Sequence, residues 1–97
     1  MKIGISTFGS TNKEAGWNNM EIEIEGDTAS LAEALQLAKL QDGRSLLELI
    51  GENSLLKDSF AIFLSGTLLW HPVDLEQKIR NGDKLMILDF PFTLGGG

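Results

Sequence analysis

Met20-Glu21-Ile22-Glu23-Ile24-Glu25 alternates apolar and acidic residues without a break, and no other feature narrows the fold as much. Period-two alternation puts every second side chain on one side of an extended chain, so the segment reads as a strand with one dry and one wet face. Such a strand needs a partner for its ladder and a layer over its dry face. Lys2 to Phe8, alternating around Ile3 and Ile5, supplies the partner strand. Between the two, Ser10-Thr11-Asn12 and Glu14 to Asn19 read as a polar turn carrying Gly16 and Trp17. Gly26-Asp27 ends the second strand.

The period then changes. Ser30-Leu31-Ala32-Glu33 spells a capping box, and Leu31, Ala34, Leu35 and Ala38 follow at the spacing of one helix face. Leu31 to Leu40 is therefore expected to be the main helix. Asp42-Gly43 breaks it, and Ser45-Leu46-Leu47-Glu48 repeats the capping box to open a shorter helix around Leu46 to Ile50. Phe60-Ala61-Ile62-Phe63-Leu64 is an apolar run of strand length. Ser65-Gly66 turns it back into Thr67-Leu68-Leu69-Trp70, and Pro72 stops that strand. Leu75 and Ile79, four apart, read as a short helical turn. Asn81-Gly82-Asp83 turns the chain into a last strand, Lys84 to Phe90. The order is two strands, one or two helices, then three strands. A helical crossover of that length lets the first and last strands lie side by side in parallel. The class is α+β: a mixed sheet of four to five strands packed on one main helix, with the other face largely open.

Composition removes several kinds of activity. A length of 97 residues with 42% apolar side chains suits one domain with its own core. With 8 Lys+Arg against 14 Asp+Glu the net charge is −6, which speaks against nucleic-acid partners, since neutralising phosphates takes clustered cations. Having no cysteine, the chain has no disulfide, thiolate nucleophile or Cys-ligated metal. No apolar run approaches the ~20 residues that cross a bilayer, and Met1-Lys2-Ile3-Gly4-Ile5 lacks the apolar core of a signal peptide. A cytoplasmic protein with no membrane partner is expected.

The chemistry is expected in the segment Thr93-Leu94-Gly95-Gly96-Gly97. A glycine run has no Cβ and threads a channel too narrow for other residues. Five extended residues reach roughly 17 Å beyond a last strand. The sequence thus divides into a folded body over residues 1–92 and a flexible tail over 93–97.

Ile79-Arg80-Asn81-Gly82-Asp83, a final apolar strand and Gly96-Gly97, set on this element order, resemble the ubiquitin-like sulfur carriers with the β-grasp fold. These include the small subunit of molybdopterin synthase and the sulfur carrier of the thiamine pathway. The resemblance spans nearly the whole chain in element order and is concentrated in Gly66 to Gly97. It implies that an adenylating enzyme of the ubiquitin-activating type uses ATP to activate the Gly97 carboxylate. A persulfide donor then supplies sulfur, and a sulfur-accepting synthase or large subunit consumes the thiocarboxylate. On this implication the chain is a co-substrate and not an enzyme, with no permanently bound cofactor and no metal. A third glycine, Gly95, and a long stretch from Gln41 to Ser59 depart from the leanest members. Two other uses of such a chain stand beside this one: a protein modifier joined through Gly97 to lysines, and a β-grasp domain that only binds.

In the last strand Leu85 and Ile87 share one parity, and Met86, Leu88 and Phe90 the other. If the first pair faces the helix, Met86, Leu88 and Phe90 form an apolar strip on the open face, with Phe92 beyond, and such strips mark partner surfaces. Six acids and no base lie from Glu14 to Glu33. They read as a solvated face, or as steering toward a basic activating enzyme. His71 has no nucleophile or acid placed to make a triad, and Trp17 and Trp70 read as core or edge residues.

Overall fold

The computed structural model describes residues 1–89. β1 (Lys2–Thr7) and β2 (Asn19–Glu23) pair antiparallel, with Ile3 opposite Ile22 and Ile5 opposite Met20. The alternation therefore does what it predicts: Ile22 is buried and Glu21 and Glu23 are exposed. The connection differs from expectation, since residues 10–15 form a helix, α1 (Ser10–Ala15), where the sequence reads as a polar turn. Gly9, at φ 65, and Gly16, at φ 83, bracket it, and both angles are ones that side chains resist. Only Thr11 and Ala15 of this helix are buried, so it carries almost no apolar stripe to announce itself.

β3 (Thr28–Ser30) leads into α2 (Leu31–Leu37). The capping box at its start is complete: the Glu33 N–H donates to Ser30 Oγ at 3.1 Å and the Ser30 N–H to Glu33 Oε1 at 3.2 Å. α2 stops three residues earlier than the apolar spacing predicts. Ala38 turns extended so that its carbonyl accepts from Leu46 N, yet Ala38 and Leu40 stay in the core. The second capping box opens α3 (Leu46–Ile50), where Ser45 and Glu48 repeat the exchange at 3.2 and 2.8 Å. A small hairpin follows, β4 (Gly51–Glu52) with β5 (Leu55–Leu56).

β6 (Phe60–Leu64) returns through Ser65 and Gly66 into β7 (Thr67–Leu68). Both turn residues have positive φ, 46 and 89, the geometry that follows the twist of a two-residue hairpin. β8 (Lys78–Arg80) pairs antiparallel with β3, with Ile79 opposite Ala29. Leu75 and Ile79 thus belong to no helical turn. The backbone around them does another job: the carbonyls of Leu75 and Gln77 accept from Ala32 N and Leu31 N at 2.8 and 2.9 Å. Those N–H groups open α2 and have no partner within it, so the 75–77 segment completes the helix start that Ser30 begins.

β9 (Lys84–Asp89) runs parallel to β1 and antiparallel to β6. The main sheet has the order β2-β1-β9-β6-β7, so the first and last strands are neighbours, as the crossover length requires. Ile3, Ile5, Ile62, Leu85 and Ile87 line one face of this sheet in a single core with Leu31 and Leu35 of α2. Among the described residues no helix is long and apolar enough to cross a membrane.

Candidate functional site

β9 occupies the middle of the sheet, so its register decides what each face displays. Leu85 and Ile87 are sealed in the core, while Met86 is 41% exposed and Leu88 half-buried on the other side. Met86 lies opposite Ser6 on β1 and Phe63 on β6, Leu88 lies opposite Ala61, and Phe63 in turn faces Leu68 on β7. An apolar strip of Met86, Phe63 and Leu68 therefore crosses three strands on the face that, among the described residues, carries no helix. A depression of about 410 Å³ beside it is bordered by Phe63, Gly66, Lys84 and Met86.

The same face turns polar toward β2. Lys84 lies opposite Gly4, and Gly4 opposite Glu21. A second depression, of about 330 Å³, runs over Gly4, Ser6, Asn19 and Glu21 up to Lys84. Glu21 stands 3.9 Å from Lys2, both well exposed, a pair that contributes little in water. The six acids between Glu14 and Glu33 do not gather at one place. Glu33 completes a helix cap, Glu14 lies 3.7 Å from Arg44, and Glu23, Glu25 and Asp27 face solvent.

The last described residue of β9 is held by its side chain. Asp89 lies opposite Phe60 of β6, and its carboxylate accepts from Ser10 N–H at 3.0 Å and from Ser10 O–H at 2.6 Å. The Ser10 hydroxyl is the largest cause holding the Asp89 carboxyl below the ordinary carboxylate value; the Ser10 N–H adds to it, and partial burial opposes both. The approach needs the glycine before it, because a Cβ on Gly9 would meet Asp89 Oδ1 at 2.5 Å.

Of the residues singled out in the sequence, Met86 and Leu88 fall on one exposed strip. Phe90, Phe92, Gly95, Gly96 and Gly97 lie outside the described residues, as does the boundary drawn at residue 92. His71 is exposed, with Nε2 at 3.4 Å from the Lys57 carbonyl oxygen. Trp17 is half-buried and donates from Nε1 to the Lys39 carbonyl at 2.8 Å, tying the end of α1 to the chain after α2. Trp70 is 82% exposed and Phe8 46%. Sequence reasoning missed Phe63 and Leu68 as members of the open face. The uninterrupted run Phe60 to Leu64 was the available signal, since a strand apolar at every position has two apolar faces. Among the described residues, no three His, Asp or Glu side chains gather as a metal site.

A five-stranded mixed sheet with a parallel central pair, one face covered by the crossover helix, is a β-grasp, ubiquitin-like fold, and solved structures share it. The crystal structure of SAMP1 from Haloferax volcanii superposes with a TM-score of 0.68 at 21% identity, covering 100% of both chains. Small archaeal modifier protein 1 from Methanosarcina acetivorans gives 0.63 at 21% identity, over 99% of this chain and 96% of its own. A putative molybdopterin converting factor, subunit 1, from Pyrococcus furiosus gives 0.65 at 14% identity, over 92% of this chain and 97% of its own. No protein-family model and no curated protein matches the sequence.

Proposed function

We propose that the chain is a sulfur carrier that works through the carboxyl group of Gly97, whether that group ends the translated chain or is exposed by cleavage. One observation carries the reading: a glycine run, Gly95-Gly96-Gly97, follows the central strand of a β-grasp sheet within a few residues. A likeness to a putative molybdopterin converting factor subunit supports it. A carboxylate is a poor electrophile, so an adenylating enzyme first joins it to AMP from ATP and releases pyrophosphate. The terminal sulfur of a persulfide then attacks the acyl carbon and AMP leaves. A thiol that cleaves the resulting acyl disulfide frees the thiocarboxylate for a sulfur-accepting synthase. The chain itself supplies no acid or base in this sequence; it presents a group to be modified. Met86 and Leu88, with Phe90 and Phe92, serve as the contact surface for the partner enzymes, and the acidic balance speeds encounter with a basic one.

The likeness to two archaeal modifier proteins favours a second reading, in which activated Gly97 is joined to lysines of other proteins. Intact-mass measurement on protein recovered from its own cells separates the two. Exchange of one oxygen for sulfur supports the carrier, and a ladder of larger covalent species supports the modifier. An unmodified chain under conditions of sulfur demand and stress refutes both. Removal of Gly97 is expected to abolish either modification.

A further inference from the structure

We infer that Asp89 is a positioning residue that anchors the chain eight residues before Gly97, an inference that rests on the activation reading above. The ladder between β1 and β9 has its last pair at Thr7 and Ile87, and the Phe8 N–H still reaches the Ile87 carbonyl at 3.0 Å. Two residues later the backbone ladder on that side has ended. The Asp89 side chain takes over, gripping the N–H and hydroxyl of Ser10, 79 positions away in sequence. On the other side Asp89 lies opposite Phe60 in the register with β6. Residue 89 thus sits beside Phe60 of β6 and is tied to the start of α1 through its carboxylate.

Three details mark this as built. Gly9 adopts φ 65, and any Cβ there would collide with the carboxylate at 2.5 Å. α1 has no side-chain cap from its own flanking residue, so Asp89 serves that end from a distance. Both carboxylate oxygens are engaged, Oδ1 by the N–H and Oδ2 by the hydroxyl, which fixes the rotation of the side chain. A fixed anchor at residue 89 raises the effective concentration of the distal carboxylate at a partner's active site once the body has docked. Loosening it leaves docking intact and lowers the rate of the step that follows.

The test is ATP–pyrophosphate exchange in extract of the source cells, driven by added full-length protein over a range of concentrations. Protein lacking Gly97 is the blank. Asp89→Ala is expected to lower the maximal exchange rate roughly tenfold, with the half-saturating concentration of the protein within about twofold of wild type. Asp89→Asn is expected to restore most of the rate, because its amide oxygen still accepts from Ser10 N–H and its NH₂ donates to the Ser10 oxygen. Ser10→Ala removes one of the two bonds and gives an intermediate rate. It serves as the second variant should Asp89→Ala melt below the assay temperature. Wild-type rates in Asp89→Ala and Ser10→Ala overturn the inference alone, as does an effect confined to half-saturation or one equally severe in Asp89→Asn. No exchange with wild-type protein above the blank overturns the activation reading and this inference with it.

Discussion

The two faces of β9 differ as much as two halves of one strand can. Leu85 and Ile87 are completely enclosed, whereas Met86 and Leu88, one residue along in each case, look onto a face with no helix over it among the described residues. Both sets are apolar, so composition does not separate them; only parity and the position of α2 do. The enclosed set is what makes the strand stay, and the open set is what remains available to a second protein.

The difference is open to direct attack. Ile87→Ala opens a cavity at the sheet centre and is expected to lower unfolding free energy by about 3 kcal/mol, read by denaturant titration. A loss under about 1 kcal/mol would mean that the covered face is not the tightly packed one. The covered face ends on a charge, and acid tests that end. In the folded protein the Asp89 carboxyl is held below its ordinary value by the Ser10 hydroxyl. Its contribution to stability is therefore present above the unfolded-state value and fades as pH falls through the lower folded value. Unfolding midpoints followed from about pH 5 to pH 2 are expected to fall less steeply in Asp89→Asn than in wild type; parallel curves would contradict the assignment. The smallest change in stability is expected on the open side. Met86→Asp should alter unfolding free energy by under about 0.5 kcal/mol while weakening the pull-down of partner proteins from the source cells. Unchanged capture would remove Met86 from the proposed contact surface.

What the sequence disclosed and what it withheld follow the range of the interactions involved. Two Ser-x-x-Glu boxes, the strand from Met20 onward and the Ser65-Gly66 turn are determined by residues within a few positions of one another, and all could be read directly. α1 could not, because the group that caps it sits at position 89. β3 and β8 are three residues each and hold through mutual pairing and the buried Ile79, whose spacing from Leu75 imitates a helix. The end of α2 was misplaced for a related reason: Ala38 and Leu40 are buried as a helical pattern demands, yet the carbonyl of Ala38 is drawn to Leu46. On the open face Met86 and Leu88 followed from parity alone. Phe63 and Leu68 joined them only through the register of β6 against β9 and β7, which local pattern does not contain.

The order of the strands also governs when this protein comes into being. The middle of the sheet is the last of the described strands to leave the ribosome, and without it β2-β1 and β6-β7 are two separate ribbons that no ladder joins. A nascent chain that stalls before Lys84 lacks the central strand and the buried Leu85 and Ile87 that fill the core between them. Only translation past that point yields a mature globule, so synthesis of the segment that bears the glycines and completion of the body arrive almost together.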